Sequence, residues 1–242
     1  MRDSGGRGGG RRRGPPTGGR AAAVRVRTAR QRSASSTRWL ERQLNDPYVA
    51  EARRVGYRSR SAFKLIDLDD RFHFLKPGQR VVDLGAAPGG WAQVAVRRVE
   101  AEHGKGRVVG IDPTPMEPIP GAVLLQQDFL ADTAPAALRQ ALGGAADVVL
   151  SDMAAPTTGH GATDHRRIMA LAEAAYAFAR EVLAPGGAFV AKLFQGGSER
   201  TLLEALRRDF ASVRHAKPPS SRSESAEVYL VALGFRGSSP AA

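Results

Sequence analysis

Val81-Val82-Asp83-Leu84-Gly85-Ala86-Ala87-Pro88-Gly89-Gly90-Trp91 decides how this chain folds. A short apolar run ends in Asp83, opens into a tight Gly/Ala/Pro loop and feeds a helix. An α/β domain presents main chain to a nucleotide-like ligand in this way, at the carboxyl end of its first strand. The spacing is not the G-x-G-x-x-G of dinucleotide-binding folds, and the Lys-Ser/Thr of a P-loop is missing. That spacing excludes a nicotinamide-dependent dehydrogenase.

Downstream of this loop the chain alternates. A helix to about residue 100 leads to a strand over 107–111, ending in Asp112-Pro113. A strand over 122–126 ends near Asp128, and a short helix covers 133–142. A strand over 146–150 ends in Ser151-Asp152. An Ala-rich helix over 164–183 is closed by Pro185-Gly186-Gly187, then come a strand over 188–194 and a helix over 198–209. Two strands, 212–217 and 227–234, follow without a helix between them. Upstream, Phe63, Leu65, Ile66, Leu68 and Phe72 recur at helical spacing and predict an amphipathic helix over 60–74, capped by Ser59 or Ser61. A shorter helical segment opens at Trp39-Leu40 and is broken by Asp46-Pro47-Tyr48. Repeated βα units predict an α/β fold: a mostly parallel seven-stranded sheet with an antiparallel edge strand and helices on both faces.

Composition narrows the function. The chain has 242 residues, 42% of them hydrophobic, enough for one sizeable core. No apolar stretch approaches a membrane span, and no apolar leader stands near the start, so secretion is not expected. Cysteine is absent, which removes disulfides, thiolate metal sites and Cys nucleophiles together. His160 and His165 show no metal spacing, and no metal site is expected. The charge is uneven. Residues 1–60 hold 16 Arg against Asp3, Glu41, Asp46 and Glu51, whereas residues 61–242 carry equal numbers of basic and acidic side chains. A basic arm on a neutral body suits a polyanionic partner, most simply nucleic acid. Residues 1–37 are Gly/Arg/Ser-rich and too poor in apolar surface to fold alone. The expected organisation is a disordered arm over 1–37, one domain over 38–237 and a tail over 238–242. A solubility tail and a mitochondrial transit peptide are the alternative readings of the arm.

Four successive strand ends carry Asp83, Asp112, Asp128 and Asp152. In a doubly wound sheet these ends form the ligand-binding edge. Asp112 is placed to accept from ribose hydroxyls and Asp128 from an adenine amino group, while Gly89 and Gly90 let the main chain approach the ligand. Arg53, Arg54, Arg58 and Arg60 cluster around Tyr57, a pattern suited to phosphate contact and base stacking. Lys217 and Arg222 are candidates to flank the same cleft; a solvated basic face is the plainer reading.

Asp83-x-Gly85-x-x-Pro88-Gly89-Gly90 resembles the S-adenosylmethionine (SAM) loop of RNA ribose methyltransferases. Further segments carry the likeness: Asp46-Pro47-Tyr48-Val49, Gly56-Tyr57-Arg58-Ser59-Arg60-Ser61-Ala62-Phe63-Lys64-Leu65, Ser151-Asp152-Met153-Ala154-Ala155-Pro156, Phe189-Val190-Ala191-Lys192-Leu193-Phe194 and Glu227-Val228-Tyr229. In this order, over about 39–235, they resemble the FtsJ/RlmE family of 2′-O-ribose RNA methyltransferases. The resemblance implies a Rossmann-like SAM-dependent methyltransferase fold and a catalytic Lys-Asp-Lys-Glu tetrad at Lys64, Asp152, Lys192 and Glu227. It implies cofactor-binding roles for Gly89, Trp91, Asp112, Asp128 and Asp152. It also implies methylation of a uridine 2′-hydroxyl in 23S rRNA of the assembled large ribosomal subunit; a cytoplasmic monomer without a membrane role is expected. A tRNA substrate, or a non-catalytic role in ribosome assembly, is the alternative.

The chemistry suits these residue types. A ribose 2′-hydroxyl is a poor nucleophile whose proton must leave during attack on the methyl carbon, and a positioned base takes it. A lysine does so only when neutral, far below its ordinary pKa of about 10.4. Lys192 is expected to be that base or to stabilise the alkoxide, with Lys64 and Glu227 orienting the ribose and the Lys192 amine. Asp152 is expected nearest the methyl donor. The plainer reading of Lys192, a lysine snorkelling from an edge strand, needs that strand to lie at an edge.

Overall fold

Val81, Val82, Asp83 and Leu84 are buried, as a central parallel strand covered on both faces requires. They belong to β1 (Arg80–Leu84), in a computed structural model that describes residues 37, 40, 41, 43–156, 158–194 and 199–237. Of the arm expected over 1–37, residues 1–36 lie outside the described residues, as does the tail expected over 238–242. The chain divides into two units, Met1–Glu51 and Ala52–Ala242, and the sheet and the residues of the site belong to the second.

The remaining strands are β2 (Arg107–Asp112), β3 (Ala122–Gln126), β4 (Ala146–Ser151), β5 (Leu183–Phe194), β6 (Phe210–Ala216) and β7 (Glu227–Phe235). Their order across the sheet is β3-β2-β1-β4-β5-β7-β6. The first five are parallel, and β7 runs antiparallel between β5 and β6. The order reverses beside β1, which opens a crevice at the carboxyl ends of β1 and β4. This is the expected mixed seven-stranded sheet.

The helices are α1 (Pro47–Val55), α2 (Ser61–Phe72), α3 (Gly90–Val99), α4 (Ala134–Leu142), α5 (Gly161–Val182) and α6 (Arg200–Asp209). Leu65, Leu68, Trp91 and Val94 of α2 and α3 pack with Val81, Val190 and Tyr229 on one face of the sheet. Leu138, Phe178 and Leu206 of α4, α5 and α6 pack with Val82, Phe189 and Leu230 on the other. Strand side chains alternate between faces. Ala188 and Val190 therefore point toward α2 and α3, and Lys192 continues their row.

Three local readings change. Asp46-Pro47 starts a helix as well as ending one: Asp46 Oδ1 accepts the Tyr48 N–H at 3.0 Å, and Pro47 opens α1. Acceptor capping with proline at the first helical position is a start signal. Neither Ser59 nor Ser61 caps α2; their hydroxyls bond each other at 2.6 Å. Strand β5 begins at Leu183, directly after α5, and absorbs Pro185-Gly186-Gly187 through an irregularity in its pairing with β4. Among the described residues no helix is long and apolar enough to cross a membrane.

Candidate active site

The strand order sets the four acidic ends side by side across the sheet, as Asp128, Asp112, Asp83 and Asp152. Asp83 is fully buried, and neither of its carboxylate oxygens has a hydrogen-bond partner. Burial, then repulsion from Asp152 and Asp112, pushes its carboxyl up to about 8; the Ala92 amide opposes this without closing a hydrogen bond. Asp112 ties two loops together. Its Oδ2 accepts the Ala87 N–H at 3.1 Å and its Oδ1 the Thr114 N–H at 2.8 Å. Asp128 stands exposed beyond β3 and accepts the Leu130 N–H at 2.9 Å.

On β5, one strand beyond Asp152, lies Lys192. Its Nζ donates to the Asp152 main-chain oxygen at 2.7 Å and pairs with Asp152 Oδ1 at 3.1 Å. The side chain is 5% exposed on a strand flanked by β4 and β7. This lysine does not snorkel from an edge. Lys64, in the first turn of α2, pairs with Glu227 Oε2 at 2.7 Å at the start of β7. Tyr229 joins the two pairs. Its hydroxyl donates to Asp152 Oδ1 at 2.7 Å, and Lys64 Nζ lies 5.7 Å from its ring centre. Register explains this: Tyr229 sits opposite Lys192 in the β5–β7 ladder, and Glu227, two residues away, shares its face. Tyr229 is fully buried, and burial with nearby Asp152 and Glu227 drives its hydroxyl pKa well above the ordinary range.

The loop after β1 is held from below. Gly85 and Ala86 N–H both donate to Ile111 O, at 3.0 and 3.1 Å. Gly89 has φ 108°, which favours glycine. Gly90 serves closeness of another kind: a Cβ there would lie 2.2 Å from Ser59 Oγ. Its missing side chain admits the turn before α2. Trp91, 2% exposed, donates Nε1–H to Ser61 O at 2.9 Å and stacks obliquely on Tyr229 with ring centres 5.6 Å apart. It therefore reaches the lysine–carboxylate group through Tyr229.

The sequence matches the FtsJ-like methyltransferases over residues 57–235, from the turn before α2 to the end of β7. This chain belongs to that family. Ribosomal RNA large subunit methyltransferase E of Paramagnetospirillum magneticum is 66% identical over 228 residues, covering 93% of each chain. The protein of the same name from Parvibaculum lavamentivorans is 59% identical and covers 99% of this chain and 97% of its own. Among solved structures, one described as a ribosomal RNA methyltransferase from Plasmodium falciparum is 32% identical, with a TM-score of 0.68, over 75% of this chain and all of the other.

In this FtsJ-like methyltransferase the expected tetrad residues come together as two ion pairs around one tyrosine. Glu227 pairs with Lys64, and it is Asp152 that holds the Lys192 amine. The arginine cluster is rearranged. Arg53 and Arg54 are exposed at the end of α1, whereas the partly exposed Arg58 and Arg60 donate to main-chain carbonyls. Arg60 donates to Ser220 O, and Asp67 accepts the Ser220 N–H at 2.9 Å, so the loop after β6 is tied to α2. Lys217 likewise donates to Ser223 O and Ser225 O within that loop. Tyr229 was visible in the sequence only as a motif neighbour of Glu227. Its signal was the two-residue period that puts both on one face. Among the described residues no three His, Cys, Asp or Glu converge as a metal site.

Proposed function

We propose that this methyltransferase moves the methyl group of SAM onto the 2′-oxygen of a uridine ribose in 23S rRNA, acting on the assembled large ribosomal subunit in the cytoplasm. The observation that carries the reading is the meeting of the Lys192–Asp152 and Lys64–Glu227 pairs at Tyr229, with the Asp152 N–H donating to Leu84 O at the head of the Asp83–Gly89 loop. The name shared by the bacterial relatives supports the acceptor.

The residues present suit a cationic donor. Asp112 and Asp152 each lie within electrostatic reach of Asp83, whose two oxygens have no hydrogen-bond partner. A ligand carrying a sulfonium and an ammonium group relieves that repulsion. Asp112 and Asp152 with the Gly89 backbone would hold it, with the buried Asp83 acting from beneath without contact; Asp128 would meet the adenine, and Trp91 would support the wall through Tyr229. When bound, SAM supplies an electrophilic methyl carbon on a positively charged sulfur.

Lys192 spends two of its three Nζ positions on Asp152, leaving the third for the ribose 2′-oxygen. As the neutral amine its lone pair there accepts the hydroxyl proton, and the ammonium so formed stabilises the negative charge developing on the oxygen. Asp152 fixes the amine through two oxygens, and the Tyr229 hydroxyl fixes Asp152. Lys64, held by Glu227, orients the ribose from the α2 side.

Transfer of tritium from labelled SAM to large subunits lacking this modification tests the proposal, with tRNA as a parallel acceptor and the labelled nucleotide mapped. Label on a 2′-O-methyluridine of 23S rRNA is expected. Label confined to tRNA, or no transfer from bound SAM, overturns it.

A further inference from the structure

Arg58 was a candidate phosphate contact, yet its guanidinium is occupied. Nη1 donates to Glu117 O at 2.6 Å and to Pro88 O at 3.4 Å, and Nη2 donates to Pro118 O at 2.8 Å. Three of the five guanidinium donors are thus committed to carbonyls. Those carbonyls belong to two separate segments. Pro88 lies in the loop after β1, immediately before Gly89. Glu117 and Pro118 lie in the segment after β2 that starts at Asp112. Asp112 already joins the same two segments through its bonds to the Ala87 and Thr114 amides.

The arginine is itself held. Its N–H donates to Gln93 Oε1 at 2.8 Å, and Gln93 Nε2 returns a bond to Gly56 O at 3.0 Å. One turn later on α3, the Arg97 guanidinium lies 4.7 Å from the Tyr57 ring centre. The base of Arg58 is therefore fixed to the helix that the glycine loop feeds. Its fork also lies against Gly89: a Cβ there would be 3.1 Å from Arg58 Nη1, and 2.8 Å from Ile119 Cδ1 on the other segment.

We infer that Arg58 is a positioning residue of the methyl-donor site, a latch that sets the gap between Pro88-Gly89 and Glu117-Pro118, and that it is not an RNA contact. The inference rests on the donor-site reading of this loop. A planar fork suits the task because it bonds carbonyls on two segments at once; an ammonium on a flexible stem does not reproduce that geometry.

The test is calorimetric binding of SAM to the wild type, Arg58→Ala and Arg58→Lys, with steady-state KM values for SAM and for large subunits at several salt concentrations. The wild type binds SAM, whereas Arg58→Ala raises its Kd and its KM roughly ten- to hundredfold. The subunit KM and its salt dependence stay as in the wild type, and Arg58→Lys recovers little of the loss. Unchanged SAM affinity in a folded Arg58→Ala or Arg58→Lys protein overturns the inference and leaves the donor reading intact. A loss that falls on the subunit KM, flattens its salt dependence and is rescued by lysine makes Arg58 a phosphate contact instead. If Arg58→Ala does not fold, Arg58→Lys alone decides between these outcomes. Failure of the wild type to bind SAM removes the donor reading itself, and the latch with it.

Discussion

Lys192 and Asp83 are both buried near the carboxyl ends of the parallel strands, and the structure treats them in opposite ways. Lys192 is paired twice to Asp152, and Asp83 has no hydrogen-bond partner. The two invite separate tests. Replacing Lys192 with Ala removes the group proposed to act on the 2′-oxygen but leaves Gly89 and Asp112 in place. Single-turnover transfer should fall by roughly 10²- to 10⁴-fold, the usual share of a general acid–base residue. SAM affinity should stay near the wild-type value, and retained turnover would remove the assignment. For Asp83 the test is stability. Its carboxyl, at about 8 in the fold, stands far above its unfolded value of 3.8. Between those pH values the folded chain keeps the proton that the unfolded chain has lost. Stability should therefore fall as pH rises through this window, by up to about 1.4 kcal/mol per pH unit. Asp83→Asn cannot ionise. Its melting temperature relative to the wild type should climb from pH 5 to pH 8, and a difference independent of pH would show that Asp83 does not carry the linkage.

At the scale of elements, the turn before α2 and the start of α3 approach so closely that one of them must lack a side chain. Gly90→Ala puts a methyl 2.2 Å from Ser59 Oγ and should cost about 1–3 kcal/mol, the range for overpacking. Ser59→Ala removes the obstructing atom. The double variant should recover most of the loss, giving a coupling of about 1 kcal/mol or more in denaturant titrations of all four proteins. Additive effects would mean that this contact is not the cause. The same junction shows what sequence reading reaches. The β1 loop and the acidic strand ends were legible because each closes an apolar run, whereas Lys192, set inside one, was legible through the family resemblance. The direction of Arg58 was not legible, since charge clustering gives no orientation and its carbonyl partners lie 30 to 60 residues away. The bridging place of Tyr229 depends on the antiparallel register of β5 and β7, which the period alone does not fix. Helix α1 was missed because Asp46-Pro47 reads equally as a stop and as a start.

Across the whole molecule, charge and chemistry occupy different parts of the chain. Every residue proposed to hold the donor or act on the ribose lies within 52–242. Residues 61–242 have no net charge, so long-range attraction for a polyanion rests on the first 60. Local pairing deepens that division, since Lys64 and Lys192 are each matched by a carboxylate. Removing residues 1–36, with ten Arg and one Asp, tests the division directly. SAM affinity should be unchanged in the shortened chain. Its affinity for large subunits should drop at low salt. The slope of log K against log salt should shrink by about 0.7 to 0.9 for each arginine that meets a phosphate, the range from single strands to B-form duplex DNA. At high salt the two proteins should converge, because counterion release no longer favours the longer one. An unchanged slope would make the segment a solubility tail and move RNA attraction to the exposed Arg53 and Arg54 of α1.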